Sequence, residues 1–369
     1  MNVEERIVVG AVRAPASPLP PPPAERLADL EQHHLAPLAW DALAISGHAG
    51  DWPHAVCSSL RRASAAQVLV SDLLDSELRR VVDTAGEAGV RTLLIKGAAL
   101  GYSHYRRPHL RPRSDSDIVI AESDREAMAG VLDRLGYRRS DAVEGSLITQ
   151  QAQWMRTLAA GVVHAVDVHW RVFNPHLFGS VLSVDRLYER ARPLPGLGPH
   201  ALCPCAVDAL LLACIHRVAH HAGEDDPVWD FDIHLLVSSL DNDEAAEFAD
   251  RVAAADLRAV AASCIGSSRA RFGTRVPPVI ASLIASAEGC RERTAVFLQP
   301  GRRQVDVLSS DLAALGSWTA RARLLRQHLF PSAHYMRARF GVHHAALLPY
   351  AYARRIAAGV PRWFRSQRS

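Results

Sequence analysis

The stretch TLLIKGAALGYSHYRRPHLRPRSDSDIVI (92–120) decides the fold. Its first four residues form a short apolar run bounded by turn signals, the pattern of a buried strand. Lys96-Gly97 ends that strand, and a short helix is expected from Ala98 to Tyr105. The Pro- and Arg-rich loop RRPHLRPRS (106–114) then leads into a second strand over 115–120. Side chains alternate along a strand, so Asp115 and Asp117 share one face while Ile118 and Ile120 point to the core. Two carboxylates on one face of an apolar strand repel each other and lose solvation, which is costly unless a cation sits between them. On that argument, neutralising Asp117 leaves stability level or raises it. A hard, oxygen-seeking ion such as Mg²⁺ is the natural cation. The competing reading is a solvated strand edge.

Working outward, 123–135 reads as a helix opened by a capping box of Ser123 and Glu126 and stopped by Gly136. A third strand is expected over 162–172, with Val166, Val168 and Trp170 on one face and Asp167, His169 and Arg171 on the other. Asp167 sits mid-strand among apolar residues and needs a partner, either a metal or a salt bridge to Arg111 or Arg171. Three carboxylates on neighbouring strands can hold two divalent ions about 3.5–4 Å apart, as in-line phosphoryl or nucleotidyl displacement requires.

The rest of the chain frames this core. Residues 11–24, AVRAPASPLPPPPA, are too rich in Pro for a helix or a sheet ladder and read as an extended leader. Apolar residues at helical spacing predict helices over 25–45 and 64–88. From 204 onward the pattern is helical, with helices expected over 208–221, 230–240, 244–254 and 257–265. The end of the chain, 329–369, is helical, aromatic and basic, and reads as a solvated surface, with nucleic-acid contact the alternative. The expected organisation is a leader (1–24), an N-terminal helical region (25–90), a strand-containing core (91–200) and a larger C-terminal helical region (201–369). The fold class is α+β.

Composition bounds the function. With 49% apolar and 22% charged residues, the 369-residue chain can bury a sizeable core and is not disordered as a whole. A net charge of +3 is too small to argue for nucleic acid or an anionic membrane as partner. No run of 18 uncharged apolar residues occurs, so no membrane span is expected, and the acidic start (Glu4, Glu5) does not read as a secretory signal. Six scattered cysteines fit a reducing cytoplasm, and Cys203-Pro-Cys205 is too tight for a zinc pair, so buried thiols are expected. Lys96 is the only Lys among 42 basic residues. A bias that strong replaces Lys wherever Arg will serve, so Lys96 marks a place where a compact ammonium is needed.

His216 and His220 are four apart and share a helix face, while His221 is turned away. With Asp232 nearby they weakly resemble a metal-dependent His-Asp phosphohydrolase. The plainer reading is helix packing, with His216 hydrogen-bonded to Asp232.

The chain resembles the uncharacterised nucleotidyltransferase family of the DNA polymerase beta superfamily from about 25 to about 360. The resemblance is carried by LLIKGAALGYSHY (93–105), LRPRSDSDIVI (110–120), DREAMAGVLDRLGY (124–137), VDVHWRV (166–172), ACIHRVAHH (213–221), WDFDIHLL (229–236) and LFPSAHYMRARF (329–340). It implies a polymerase-beta-like mixed sheet in which Asp115 and Asp117 are the metal-binding pair and Asp167 the third carboxylate. It implies Mg²⁺, two ions with Mn²⁺ as an alternative, and a nucleoside triphosphate as substrate. Lys96, Gly97 and Ala98 would cradle the triphosphate, and Arg111 and Arg113 would neutralise the leaving pyrophosphate. His169, His216, His220 and Asp232 would stand on the acceptor side. The turn departs from the superfamily, which usually has Gly-Gly or Gly-Ser where this chain has Gly97-Ala98. The expected activity is transfer of a nucleoside monophosphate to a hydroxyl-type acceptor, whether small molecule, peptide or protein, with bulk nucleic acid disfavoured. The alternatives are the His-Asp phosphohydrolase and an inactive nucleotide-binding protein of the same fold.

Overall fold

Residues 92–95 are wholly buried, and they form β1 (Thr92–Ile95) at the heart of a seven-stranded sheet. The structure is a computed structural model that describes residues 35–140, 150–220, 226–287, 289, 292–299, 301–342 and 344–363. The Pro-rich leader and the first part of the 25–45 helix lie outside those residues.

Among the described residues two helices precede the sheet, α1 (Ala36–Ser46) and the 34-residue α2 (His54–Glu87). After β1 the chain passes without a turn into α3 (Lys96–Ser103), so this helix starts two residues before the expected Ala98. Then come β2 (Asp115–Val119), α4 (Arg125–Arg134), β3 (Arg138–Arg139), β4 (Gln151–Thr157) and β5 (Val163–His169). The expected capping box at α4 does not form: the N-cap is Asp124, and the Ser123 hydroxyl bonds the Asp124 carboxylate instead of the helix. A short α5 (Val184–Glu189) and the strands β6 (Arg192–Pro193) and β7 (Ala201–Cys203) complete the sheet.

The strand order is β3-β4-β5-β2-β1-β7-β6, with β2 parallel to β5 and antiparallel to β1. The sheet is mixed, and the carboxylate strands β2 and β5 sit inside it. Alternation then sorts the side chains. Leu94, Ile118, Ile120, Val166 and Val168 pack with Leu78, Val81 and Val82 of α2 and Met128, Val131 and Leu132 of α4. Leu93, Ile95 and Val119 face the opposite way and join a larger core. That core is filled by α6 (Ala206–His220), α7 (Pro227–Ser239), α8 (Asn242–Ala254), α9 (Arg258–Phe272) and α10 (Pro278–Ala285). Asp115, Asp117, Asp167 and His169 lie on this second face, turned toward the C-terminal helices. The helices α11 (Gln304–Ala314), α12 (Trp318–Leu329), α13 (Ala333–Phe340) and α14 (Leu348–Trp363) follow. Among the described residues no helix is long and apolar enough to cross a membrane.

Candidate active site

Strand register assembles the site. In β2 and β5 Asp117 lies opposite Asp167, and Val119 opposite His169. In β1 and β2 Ile95 lies opposite Asp117, so the next residue, Lys96, stands at the end of β1 beside that carboxylate. Lys96 takes φ +54° at the elbow between β1 and α3. A non-glycine residue in this region carries strain of order 1–3 kcal/mol that the surrounding structure must hold in place. The elbow aims the ammonium at Asp117, with Nζ 2.7 Å from Oδ1.

The same Asp117 oxygen meets His169 Nε2 at 2.9 Å. Asp117 is only 3% exposed, and burial alone would raise its pKa. The Lys96 ammonium and the His169 hydrogen bond outweigh burial and hold the carboxyl well below the usual range. Its two neighbours go the other way. Burial raises the pKa of Asp115 and that of Asp167, and the Asp117 charge adds to both shifts.

Ligand atoms of Asp117, Asp167 and His169 all lie within 4.8 Å of one another, so this buried group could bind a metal ion. Asp167 Oδ1 is buried without a hydrogen-bond partner. An orphaned carboxylate oxygen beside a second carboxylate is a donor set suited to a hard divalent cation. Asp115 is outside this tight group but lines the adjoining cleft on the same strand face.

That cleft, of about 370 Å³, lies between α3, the start of β2, α6 and α7. Lys96, Gly97, Arg111, Arg113, Asp115, Asp117, His216 and Asp232 all line it. Ala98 does not: it is 2% exposed and packs with Leu94 and the α2 side chains in the core. This explains the departure at the turn, because a hydroxyl at this position would be buried among apolar groups. A Cβ at Gly97 would sit 3.4 Å from the Arg111 guanidinium, an ordinary van der Waals contact.

Both arginines are engaged. Arg111 binds Asp232 through two nitrogens, Nε to Oδ1 and Nη2 to Oδ2, each at 2.8 Å. Tyr105 Oη donates to the same Asp232 at 2.7 Å. Asp232 is thus the partner of Arg111, and the suggested Arg111–Asp167 bridge is not made. Arg113 pairs with Asp75 of α2 at 2.7 Å, both side chains being buried. The His216 ring stands edge-on to Trp229, with 6.3 Å between centroids. His220 ends α6, and its side chain and His221 lie outside the described residues. Among the described residues the one metal-type cluster contains His169 rather than His216. Cys203 and Cys205 are buried free thiols, as expected.

Sequence reading missed the second layer. Asp75 was legible in principle, as an acidic residue on the stripe of α2 that buries Leu74 and Leu78. Behind the carboxylates, Ser116 Oγ contacts His164 Nε2 at 2.9 Å, and His164 Nδ1 contacts Tyr137 Oη at 2.6 Å. Burial, aided by the nearby Arg113 charge, pushes the His164 pKa down to about 3, so the imidazole is neutral.

Residues 23–273 match a family described as uncharacterised nucleotidyltransferases. The chain belongs to this family. The matched span holds the whole sheet and ends at the Gly273 cap of α9. The resemblance read beyond it, including 329–340, is not carried by this match. A comparison with curated proteins gives no match.

Proposed function

We propose that the protein transfers a nucleoside monophosphate from a nucleoside triphosphate to a hydroxyl-type acceptor, with release of pyrophosphate. The observation that carries this reading is the orphaned Asp167 oxygen beside Asp117, on adjacent inner strands at the side of a cleft lined by Lys96, Arg111 and Arg113 as well as carboxylates. Asp115, Asp117 and Asp167 would hold divalent ions, with Mg²⁺ the favoured metal, Mn²⁺ the alternative and two ions the expected number. When bound, such ions lower the acceptor's pKa and screen the phosphates.

The chain's own groups divide the remaining work. Asp167, with its raised pKa and an unbonded oxygen, is suited to accept the proton of the acceptor hydroxyl. His169 holds the Asp117 carboxylate in orientation from behind. Lys96 pairs with Asp117 at the cleft wall, and from there its ammonium would be placed to face a triphosphate held by the backbone of Gly97 and Ala98. Arg111 and Arg113 line the cleft as fixed positive charge, pre-organised by Asp232 and Asp75, where charge develops on the leaving pyrophosphate. His216 and Trp229 stand on the opposite wall, the side proposed for the acceptor; a small molecule, a peptide or a protein would suit it.

The test is incubation with each labelled nucleoside triphosphate, Mg²⁺ and cell extract, with pyrophosphate release and product mass as readouts. Asp167→Asn should lose at least about a hundredfold in transfer, the scale of a positioned acid–base group, while nucleotide affinity stays within a few-fold. Nucleotide binding without pyrophosphate release under every condition would make the chain a binding protein.

A further inference from the structure

Charge is not spread evenly along this chain. After Asp311 there is no Asp or Glu, yet ten of the 42 basic residues fall in 312–369, all of them Arg. The preceding 311 residues therefore carry a net charge of −7, and the near-neutral total conceals a separated cationic end. That end begins well beyond the span shared with the family.

The same segment buries Leu324 and Met336 but leaves several large apolar side chains exposed. Leu347, in the 3-10 turn just before α14, is 51% exposed, and Tyr350 in the first turn of α14 is 67% exposed, four residues before Arg354. On α12, Trp318 is 81% exposed and Leu325 38%, with Ala322 between them and Arg326 beside them. Phe330, at the end of α12, is 52% exposed. Between α13 and α14 runs a groove lined by Arg339, Arg354 and Arg355 together with Tyr335 and Phe340.

We propose that residues 318–363 seat the protein on an anionic lipid surface. Headgroup phosphates meet the arginines, and Trp318, Leu325, Leu347 and Tyr350 enter the boundary between headgroups and acyl chains. The mixture of side chains selects this occupant. Exposed leucines gain from an acyl environment and nothing from nucleobases, while Trp and Tyr favour the boundary layer. Stacking on bases needs open ring faces, and one face of Trp318, Tyr335 and Phe340 is already met by Arg321, Arg355 and Arg354, at 5.0, 5.7 and 5.9 Å from the ring centroids. Arg side chains can lay their stems along apolar surface while the guanidinium stays in the headgroup layer. The absence of carboxylates after Asp311 removes the repulsion that an acidic surface would otherwise meet.

The experiment is co-sedimentation of the full chain with vesicles of phosphatidylcholine alone and with about a third phosphatidylglycerol. Binding is expected only to the anionic vesicles, and it should weaken as salt shortens the screening length. Each Arg at such a surface is worth about fivefold in partition, so Arg339→Gln with Arg354→Gln should lower it at least tenfold. Leu347→Ser with Tyr350→Ser should lower binding with little change in its salt dependence, because it removes insertion and not charge. All four positions are outside the cleft, so nucleotide affinity of the variants, measured alongside, reports that the fold is intact. Failure to sediment with anionic vesicles overturns the proposal. So does unchanged partition in both folded variants, or displacement from the vesicles by a single-stranded oligonucleotide at matched salt, which assigns the surface to nucleic acid.

Discussion

At the scale of single residues, the site turns on one carboxylate oxygen with two cationic or hydrogen-bonding partners. Repulsion between Asp115 and Asp117 alone argues that Asp117→Asn is neutral or stabilising. The structure reverses that expectation, because Lys96 and His169 both hold Asp117 Oδ1. Its folded pKa lies below the unfolded value of about 3.9. The stability it contributes is therefore complete above that pH and is lost as pH falls through the lower folded value. Asp117→Asn should abolish transfer and cost about 1–3 kcal/mol in urea unfolding without Mg²⁺, since it leaves the ammonium unpaired. A more stable variant would restore the repulsion argument. The importance of Lys96 was legible from its being the only Lys in the chain. Its partner was not, because the pairing spans 21 residues and depends on the register of β1 against β2.

At the scale of elements, β1, β2 and β5 could be read from the sequence because each combines an apolar run with a polar residue on one face. β4 escaped notice. Its buried residues are only Ala152 and Trp154, between Gln151, Gln153 and Met155, too weak an alternation to stand out. β6 and β7 are two and three residues long and cannot display a period. The strands β2 and β5 are also joined behind the site through Ser116 and His164, and this join titrates. The folded His164 pKa of about 3 is far below the unfolded value of about 6.5. Between those values the unfolded chain binds the proton and the folded chain does not, so stability falls as pH falls. His164→Gln should flatten the loss between pH 7 and 5 by up to about 1.4 kcal/mol per pH unit, read as the difference from the parent in denaturant melts. Identical slopes would remove His164 from the account. The loop before β2 is tied to α7 by the Arg111–Asp232 pair. Asp232→Ala should cost about 3–5 kcal/mol, as expected when a buried guanidinium loses its carboxylate. A double-mutant cycle with Arg111→Ala should return a large coupling energy, and additive losses would show that the clamp is not a unit.

At the scale of the whole molecule, net charge is a poor guide: +3 is the residue of a negative body and a positive end. Period showed three strands between two helical regions, and the mixed character of the sheet was implied by the family resemblance. The way the helices close over one sheet face was not, since it is set by which side of β2 and β5 the apolar residues leave uncovered. That closure places the cleft between sheet and helices, with α6 and α7 forming its far wall. The carboxylates themselves ride on β2 and β5, each bonded to a strand on either side. Inner strands open only with the global transition, whereas edges and loops fray first. Amide protons of β2 and β5 should therefore exchange at the rate of complete unfolding. Heat should extinguish activity at the same midpoint at which the fold is lost, with no inactive folded form below it. Inactivation at a clearly lower temperature would place the weak point in the cleft wall instead. A catalyst built this way ages all at once: each molecule in a warming sample is either fully competent or gone, and partial activity counts survivors.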